Sequence, residues 1–327
     1  MKHPRSLPPK YLALGPGPEF DRIRDIMGQL GEGAAALGDD CGLFEQGGEF
    51  VALSTDVSVE GVHFRREWIS SEEVGWRAAA AALSDLAADG AAPIGLLCAI
   101  TMPARAPETE LLSVMAGVSA AAKAVGASIL GGDLASGPAW SVAVTVVGRT
   151  RAPVTRGGAE HGDRLWVTGT LGGARAALEA WLQNRVPLPG ARTRFACPEP
   201  RIAAGIWLAE HGAKAMIDLS DGLAGDVWHL AAASQLSIEI DLGSLPVAAE
   251  AQDEARKLGV SPGQFAAEGG EDYELLTALP AGFGAADAFR RECGIPLTLI
   301  GEAVSGSGVR FLLSGHPIEL HGFNHFG

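Results

Sequence analysis

Aspartates recur where apolar segments of this chain end. Asp39 and Asp40 lie in the glycine-flanked turn Gly38-Asp39-Asp40-Cys41-Gly42. Asp56 follows Ser54 and Thr55 at the close of an apolar run, and Asp85 falls in the last turn of an alanine-rich stretch. Asp133 follows Gly131-Gly132, and Asp218 and Asp221 bracket Ser220 at a predicted strand-to-helix junction. Any one of these has a local explanation, because Asp forms turns and caps helices by accepting backbone N–H bonds. Asp85 fits that explanation badly, since an acid near a helix C-terminus opposes the macrodipole. Taken together, the element ends can bring carboxylates to one edge of a sheet, where they need a cation. Mg²⁺ is a hard ion that takes oxygen ligands, typically one or two carboxylates with water and phosphate oxygens. The pattern predicts several Mg²⁺ ions around a polyphosphate.

The composition supports this and excludes other classes. The formal net charge is −14, which repels nucleic acid and anionic membrane, and no basic stripe offsets it. An acidic site accepts a nucleotide only if metal ions neutralise it. Cys41, Cys98, Cys197 and Cys293 form no CxxC pair, so neither structural zinc nor a disulfide framework is expected, and reduced thiols in a cytoplasm are the simplest reading. Residues 1–18 carry Lys2, Arg5 and Lys10 but no apolar core of a signal peptide. No apolar run reaches the roughly 18 residues of a membrane span.

The elements that must position the aspartates follow from periodicity. Glu19 to Leu30 reads as an amphipathic helix, and Phe50 to Thr55 as a strand. Ser70 with Glu73 forms a capping box that opens an alanine-rich helix to Ala88. Leu96 to Thr101 is a predicted strand, Leu111 to Val125 a helix, Ser128 to Leu130 a short apolar strand and Ser141 to Gly148 a clear strand. The Gly-, Pro- and charge-rich stretch Pro153 to Gly162 marks a boundary, giving domains 1–152 and 153–327. Beyond it, strands are expected at Arg164 to Thr168, Ala215 to Leu219, Ile238 to Leu242 and Glu271 to Leu279. Helices are expected at Ala174 to Leu182 and after Gly222, and a last helix and strands follow. The fold class is α/β, of α+β type, in two domains.

Other candidates have both local and functional readings. No GxxxxGK[ST] loop is present. Gly169-Thr170-Leu171-Gly172-Gly173 is either an anion cradle at a helix start or a plain connection. Ser220 is either a cap or a phosphate contact. His63 suits a structural role as well as a site, and Arg156 suits a solvated linker. Glu271, Asp272 and Glu274 form either a solvated edge or part of a site. Phe323 is either a lid or tail packing.

The stretches GDDCG (38–42), STDVSVEGVHF (54–64), ALSDLAADGAAP (82–93), GGD (131–133), VTRGG (154–158), GDRLWVTGTLG (162–172), IDLSDGLAGD (217–226), GGEDYEL (269–275) and GFNHF (322–326) occur in one order along nearly the whole chain. This set resembles bacterial thiamine-monophosphate kinases, within the superfamily of aminoimidazole ribonucleotide synthetase and selenophosphate synthetase. The resemblance implies that Asp40, Ser54, Thr55, Asp56, Asp85, Asp133 and Asp218 hold Mg²⁺, with Asp221 at a further ion. It implies that Gly132, Asp133, Arg156 and Ser220 contact ATP, and that His63, Glu271 and Phe323 contact thiamine phosphate. It also implies an N-terminal α/β domain that dimerises through its sheet, a C-terminal α/β domain with a mixed sheet, and a nucleotide in the cleft between them. Three features depart from the pattern. Asp89 stands where an apolar residue is expected, Leu134-Ala135 where Thr-Thr is common, and Phe323 where Tyr or Trp is frequent.

The implied reaction is in-line transfer of the ATP γ-phosphoryl to a phosphate oxygen. That nucleophile is already anionic, so no general base is assigned. Selenophosphate synthetase fits poorly, because residues 1–38 contain no Cys. A Mg²⁺-dependent phosphatase and a non-catalytic nucleotide-binding regulator are the rivals from other classes.

Overall fold

The computed structural model describes residues 12–34 and 37–323. Its first sheet has the order β1-β2-β5-β3-β4, built from β1 (Gly42–Gln46), β2 (Glu49–Val59), β3 (Ala92–Met102), β4 (Ser128–Ser136) and β5 (Ser141–Thr150). All neighbours are antiparallel except β3 and β4. α1 (Pro18–Leu30) precedes this sheet, and α2 (Ser71–Ala88) and α3 (Glu108–Ala124) cover one face of it. The opposite face is open: Phe44, Leu53, Val57 and Leu97 are all at least 36% exposed.

Two predicted strands prove longer than their apolar cores. β2 continues to Val59, so Asp56 lies inside the strand opposite Val144, not at its end. β4 runs from Ser128 through Ser136, so Asp133 is a strand residue rather than one that follows a strand. Backbone pairing with β3 carries β4 through the polar residues, whatever their side chains.

The second sheet follows a strandless interval. Its strands are β6 (Arg164–Thr168), β7 (Ala215–Asp218), β8 (Ser237–Asp241), β9 (Leu275–Leu279), β10 (Leu297–Val304), β11 (Gly308–Leu313) and β12 (His316–Ile318), in the order β12-β11-β8-β10-β6-β9-β7. It is mixed, since β11 and β8 run parallel. The helices are α4 (Gly173–Leu182), α5 (Pro189–Ala196), α6 (Ile202–Glu210), α7 (Leu223–Ser234), α8 (Ala249–Leu258), α9 (Pro262–Ala267) and α10 (Ala286–Cys293). α5, α6, α8 and α9 lie where no element was predicted. Each is 10 residues or fewer, and three of them lack a side-chain cap, so periodicity had little to act on.

α2 joins the halves. Its capping box forms as expected, with the Ser70 and Glu73 side chains each bonding the other's backbone N–H. Its alanines make a thin helix that packs on α3, β2 and β5 on one side and on α5, α6 and β7 on the other. At the crossing with α3, a Cβ on Gly75 would run into the Val114 carbonyl, and one on Gly117 into the Glu72 carbonyl. One buried apolar cluster accordingly runs from Val144 and Leu86 to Trp207, Leu208 and Phe289.

Candidate active site

The face of α2 turned to the interior carries Arg77, Ala81, Asp85 and Asp89, spaced four residues apart on one inclined stripe. Arg77, Ala81 and Asp85 line a cavity of about 160 Å³ with Asp56 from β2, Asp218 at the end of β7, and Ser220, Asp221 and Glu271. Behind it, carboxylate oxygens of Asp40, Asp85 and Asp218 lie within 4.8 Å of one another. Ser54 Oγ donates to Asp85 Oδ2 at 2.5 Å. Arg156 donates to Asp40 from Nε at 3.0 Å and Nη2 at 2.7 Å, so it is no solvated linker residue.

These carboxylates carry an electrostatic load. Burial, then the charges of Glu271 and Asp40, pushes Asp56 up to about 6. Burial, then Asp56 and Asp218, holds Asp85 well above the usual carboxylate range. Asp218 is raised likewise by burial and Asp40. Burial alone would lower Arg156, but Asp40 and Asp39 more than offset it and hold the guanidinium charged. One arginine does not neutralise this group. Converging, desolvated oxygen donors with surplus negative charge fit Mg²⁺.

A second cavity, of about 410 Å³, adjoins the first, and His63, Ser220, Asp221 and Glu271 line both. Its walls are aromatic: Trp68, Phe195 and Phe323. Trp68 stacks on Trp181 with centroids 5.1 Å apart, and Phe195 meets the edge of Trp181 at 5.1 Å, which fixes that wall. Phe323 N–H donates to the Asp221 carbonyl at 3.0 Å and ties the C-terminal segment to the cavity mouth. Asn324 to Phe326 lie outside the described residues. His63 Nδ1 accepts from Val59 N–H at 3.0 Å, which orients the ring.

The segment 269–274 differs from the expected strand. Glu271 and Tyr273 have φ of 69° and 51°, left-handed values that a strand excludes. Glu271 N–H donates to the Ser220 carbonyl at 2.7 Å and Tyr273 N–H to that of Leu219 at 2.9 Å, so the segment locks onto the end of β7. The strand begins only at Leu275. Nor is the acidic run a solvated edge. Glu274 is fully buried and bound by Thr168 Oγ1, Arg194 and Arg201. Asp272 accepts from Gly172 N–H at 2.7 Å. Gly169 and Leu171 N–H donate to the carbonyls of Pro296 and Pro246, so these three amides of the glycine turn are engaged and the turn is a connection.

Residues 38–150 match the family described as AIR synthase related protein, N-terminal domain, and residues 160–313 match its C-terminal domain. The chain is 36% identical to the thiamine-monophosphate kinase of Escherichia coli K12 over 324 residues, covering 94% of this chain and 95% of the relative. It is also 36% identical to that of Mycobacterium tuberculosis H37Rv over 284 residues, covering 84% and 85%. The structure of AaThiL complexed with AMPPCP and TMP superposes with a TM-score of 0.84 at 33% identity, covering 95% of this chain and 97% of that one. The chain belongs to the thiamine-monophosphate kinase family.

Most residues that the family resemblance singled out converge here: Asp40, Ser54, Asp56, Asp85, Arg156, Asp218, Ser220, Asp221, His63, Glu271 and Phe323. Three do not converge within one chain. Thr55 turns to the open face of the sheet, where Oγ1 bonds Thr145 Oγ1 at 2.8 Å. Asp133 pairs through Ala99 and Ala143 to Val57, three strands from β2. At about 4.8 Å per strand that is roughly 14 Å from Asp56. Gly132 lies beside it on the same edge strand.

Sequence reasoning missed several residues of this family member's site. Arg77 is buried, ion-paired with Glu271 and stacked at 3.9 Å on the Phe195 ring. Tyr273 Oη donates to Glu271 at 2.7 Å. An arginine inside the alanine run and a tyrosine inside the GGEDYEL stretch were the available signals. Trp68 and Phe195 carried none.

Proposed function

We propose that this chain is a kinase that transfers the γ-phosphoryl of ATP to thiamine monophosphate, giving thiamine diphosphate and ADP. The observation that carries the reading is the junction of an acidic cavity with an aromatic one through His63, Ser220, Asp221 and Glu271. Thiamine monophosphate has matching ends: a phosphate, and two aromatic rings of which the thiazolium is cationic. Trp68, Phe195 and Phe323 offer faces for the rings, and the Glu271 carboxylate attracts the cation.

Asp40, Ser54, Asp56, Asp85 and Asp218 would hold Mg²⁺, with Asp221 at a further ion, and the bound ions would supply positive charge to neutralise the phosphate chains and the transferring phosphoryl. Arg77 and Tyr273 hold Glu271 in place. Ser220 and Arg156 orient the nucleotide. No residue need take a proton, because the attacking phosphate oxygen is already ionised. The catalytic task is positioning and charge stabilisation.

The protein works as a homodimer in this proposal. The open sheet face exposes Phe44, Leu53, Val57 and Leu97, an apolar surface of the kind that mates with a partner. Such a dimer supplies Gly132 and Asp133 from a second copy and gives Thr55 a ligand-bearing neighbour. The boundary between domains 1–152 and 153–327 falls between β5 and β6. The four cysteines are free, and no described helix is long and apolar enough to cross a membrane. Free thiols are what a reducing cytoplasm maintains, and that is the location in this proposal.

The test is an end-point assay with thiamine monophosphate, ATP and Mg²⁺, with products separated by chromatography. Thiamine diphosphate and ADP in equal amounts, abolished by EDTA, are expected. ADP alone would keep the ATP site and reject the acceptor. Free phosphate from thiamine monophosphate without ATP would favour a phosphatase.

A further inference from the structure

Asp89 closes α2 as its C-terminal cap and is wholly inaccessible to solvent. Neither of its carboxylate oxygens has a partner of ordinary hydrogen-bond geometry, and the buried Cys41 thiol is only a weak donor toward it. A buried carboxylate left so is costly, and groups of this kind need a counter-charge or a donor. The side chain is aimed at two others: oxygens of Asp39, Asp40 and Asp89 lie within 4.8 Å of one another. Asp39 and Asp40 are partly engaged. Asp39 Oδ1 accepts from the backbone N–H of Asp40 at 3.1 Å and of Arg156 at 3.0 Å. The Arg156 guanidinium holds Asp40. Arg156 is paired with Asp40, so among the described residues Asp39 and Asp89 have no side-chain cation of their own.

We propose that Asp39, Asp40 and Asp89 bind one hard divalent cation, Mg²⁺ or Mn²⁺, at a site separate from the cavity that takes the phosphates. Asp39, Asp40 and Asp89 line neither of the two cavities described above. Asp40 is shared with the trio it forms with Asp85 and Asp218, so the ion sits one carboxylate behind the reacting groups. It touches no substrate. Its task is to hold Asp40 and Arg156 in position and to tie α2 to the segment around Val154, whose N–H donates to the Asp89 carbonyl at 3.2 Å. The donors are all oxygen, which favours hard ions. The proposal stands independently of the phosphotransfer reading.

The probe is Mn²⁺ alone, titrated into the full-length, EDTA-treated protein without nucleotide, with free Mn²⁺ read by electron paramagnetic resonance. Asp89→Asn and Asp39→Asn are each expected to bind one ion fewer per chain than wild type. The affinity of the remaining ions should change less than about threefold. Asp39→Asn keeps the Oδ1 acceptor for both amides, so it carries the test if Asp89→Asn does not fold. Thermal melts add a second readout: Mn²⁺ raises the wild-type midpoint by more than that of Asp89→Asn, which keeps only the remaining ions. Equal ion counts in wild type and both variants would overturn the proposal and leave Asp89 a neutral, protonated acid in the core.

Discussion

Two groups of buried acids can be compared within this molecule. Around Glu274, a fully buried carboxylate meets two arginines and a threonine hydroxyl, and the backbone N–H of Leu275 completes the network through Thr168. Around Asp56, Asp85 and Asp218, carboxylates face carboxylates, and burial with mutual repulsion raises all three. Both groups are desolvated acids, Glu274 fully buried and Asp56 and Asp85 half-buried in a cavity wall, but the counter-charge is built into one group and left to a ligand in the other. A buried acid with its own arginine shapes the protein, whereas one without it waits for a cation.

The comparison can be broken most severely at Asp85. Asp85→Asn should cut kcat by about 10²–10³-fold while leaving the fold intact, since it removes charge where charge is in excess. Unchanged turnover in a folded variant would show that the acidic cavity is not the reaction centre. Glu274→Gln should do the reverse. It removes the buried charge that Arg194 and Arg201 share, leaving them Thr170 and Glu199, and should cost about 3 kcal/mol of stability by denaturant unfolding, with activity per folded molecule largely kept. A variant as stable as wild type would place Glu274 outside the scaffold.

Next in size is pH. Asp56 at about 6 and Asp39 at about 7 bind protons more tightly folded than unfolded. Their contribution to stability in EDTA should therefore be full below the ordinary Asp value of about 3.9, decline as pH rises above it, and be lost above about 6 to 7. Mg²⁺ should flatten that decline, and melting curves with and without it at each pH decide the matter. The smallest effect is at the aromatic wall. Phe323→Ala should raise KM for thiamine monophosphate severalfold, with kcat within about threefold, because an exposed ring at the mouth mainly binds.

The legible part of this structure was the part with strong local signals. The capping box at Ser70 and Glu73 placed α2, and the aspartates beside apolar segments pointed to the acidic cavity, although Asp56 proved to lie inside β2. Asp272 and Glu274 were harder, because a run of acids before a strand looks alike whether solvent or arginines face it. Their partners, Gly172, Arg194 and Arg201, are 73 to 100 residues away in sequence. Left-handed backbone at Glu271 and Tyr273 leaves no mark in periodicity. Asp133 posed a different difficulty: its type suggested a ligand, but only the strand register showed its distance from Asp56.

The apolar cluster that α2 threads belongs to both sheets. Its consequence is thermodynamic. Neither half can expose its share of that cluster without stripping the other, so the halves should lose structure together. Calorimetry should record a single endotherm with calorimetric and van't Hoff enthalpies in agreement. Two resolved peaks would mean that the alanine helix is a seam between modules.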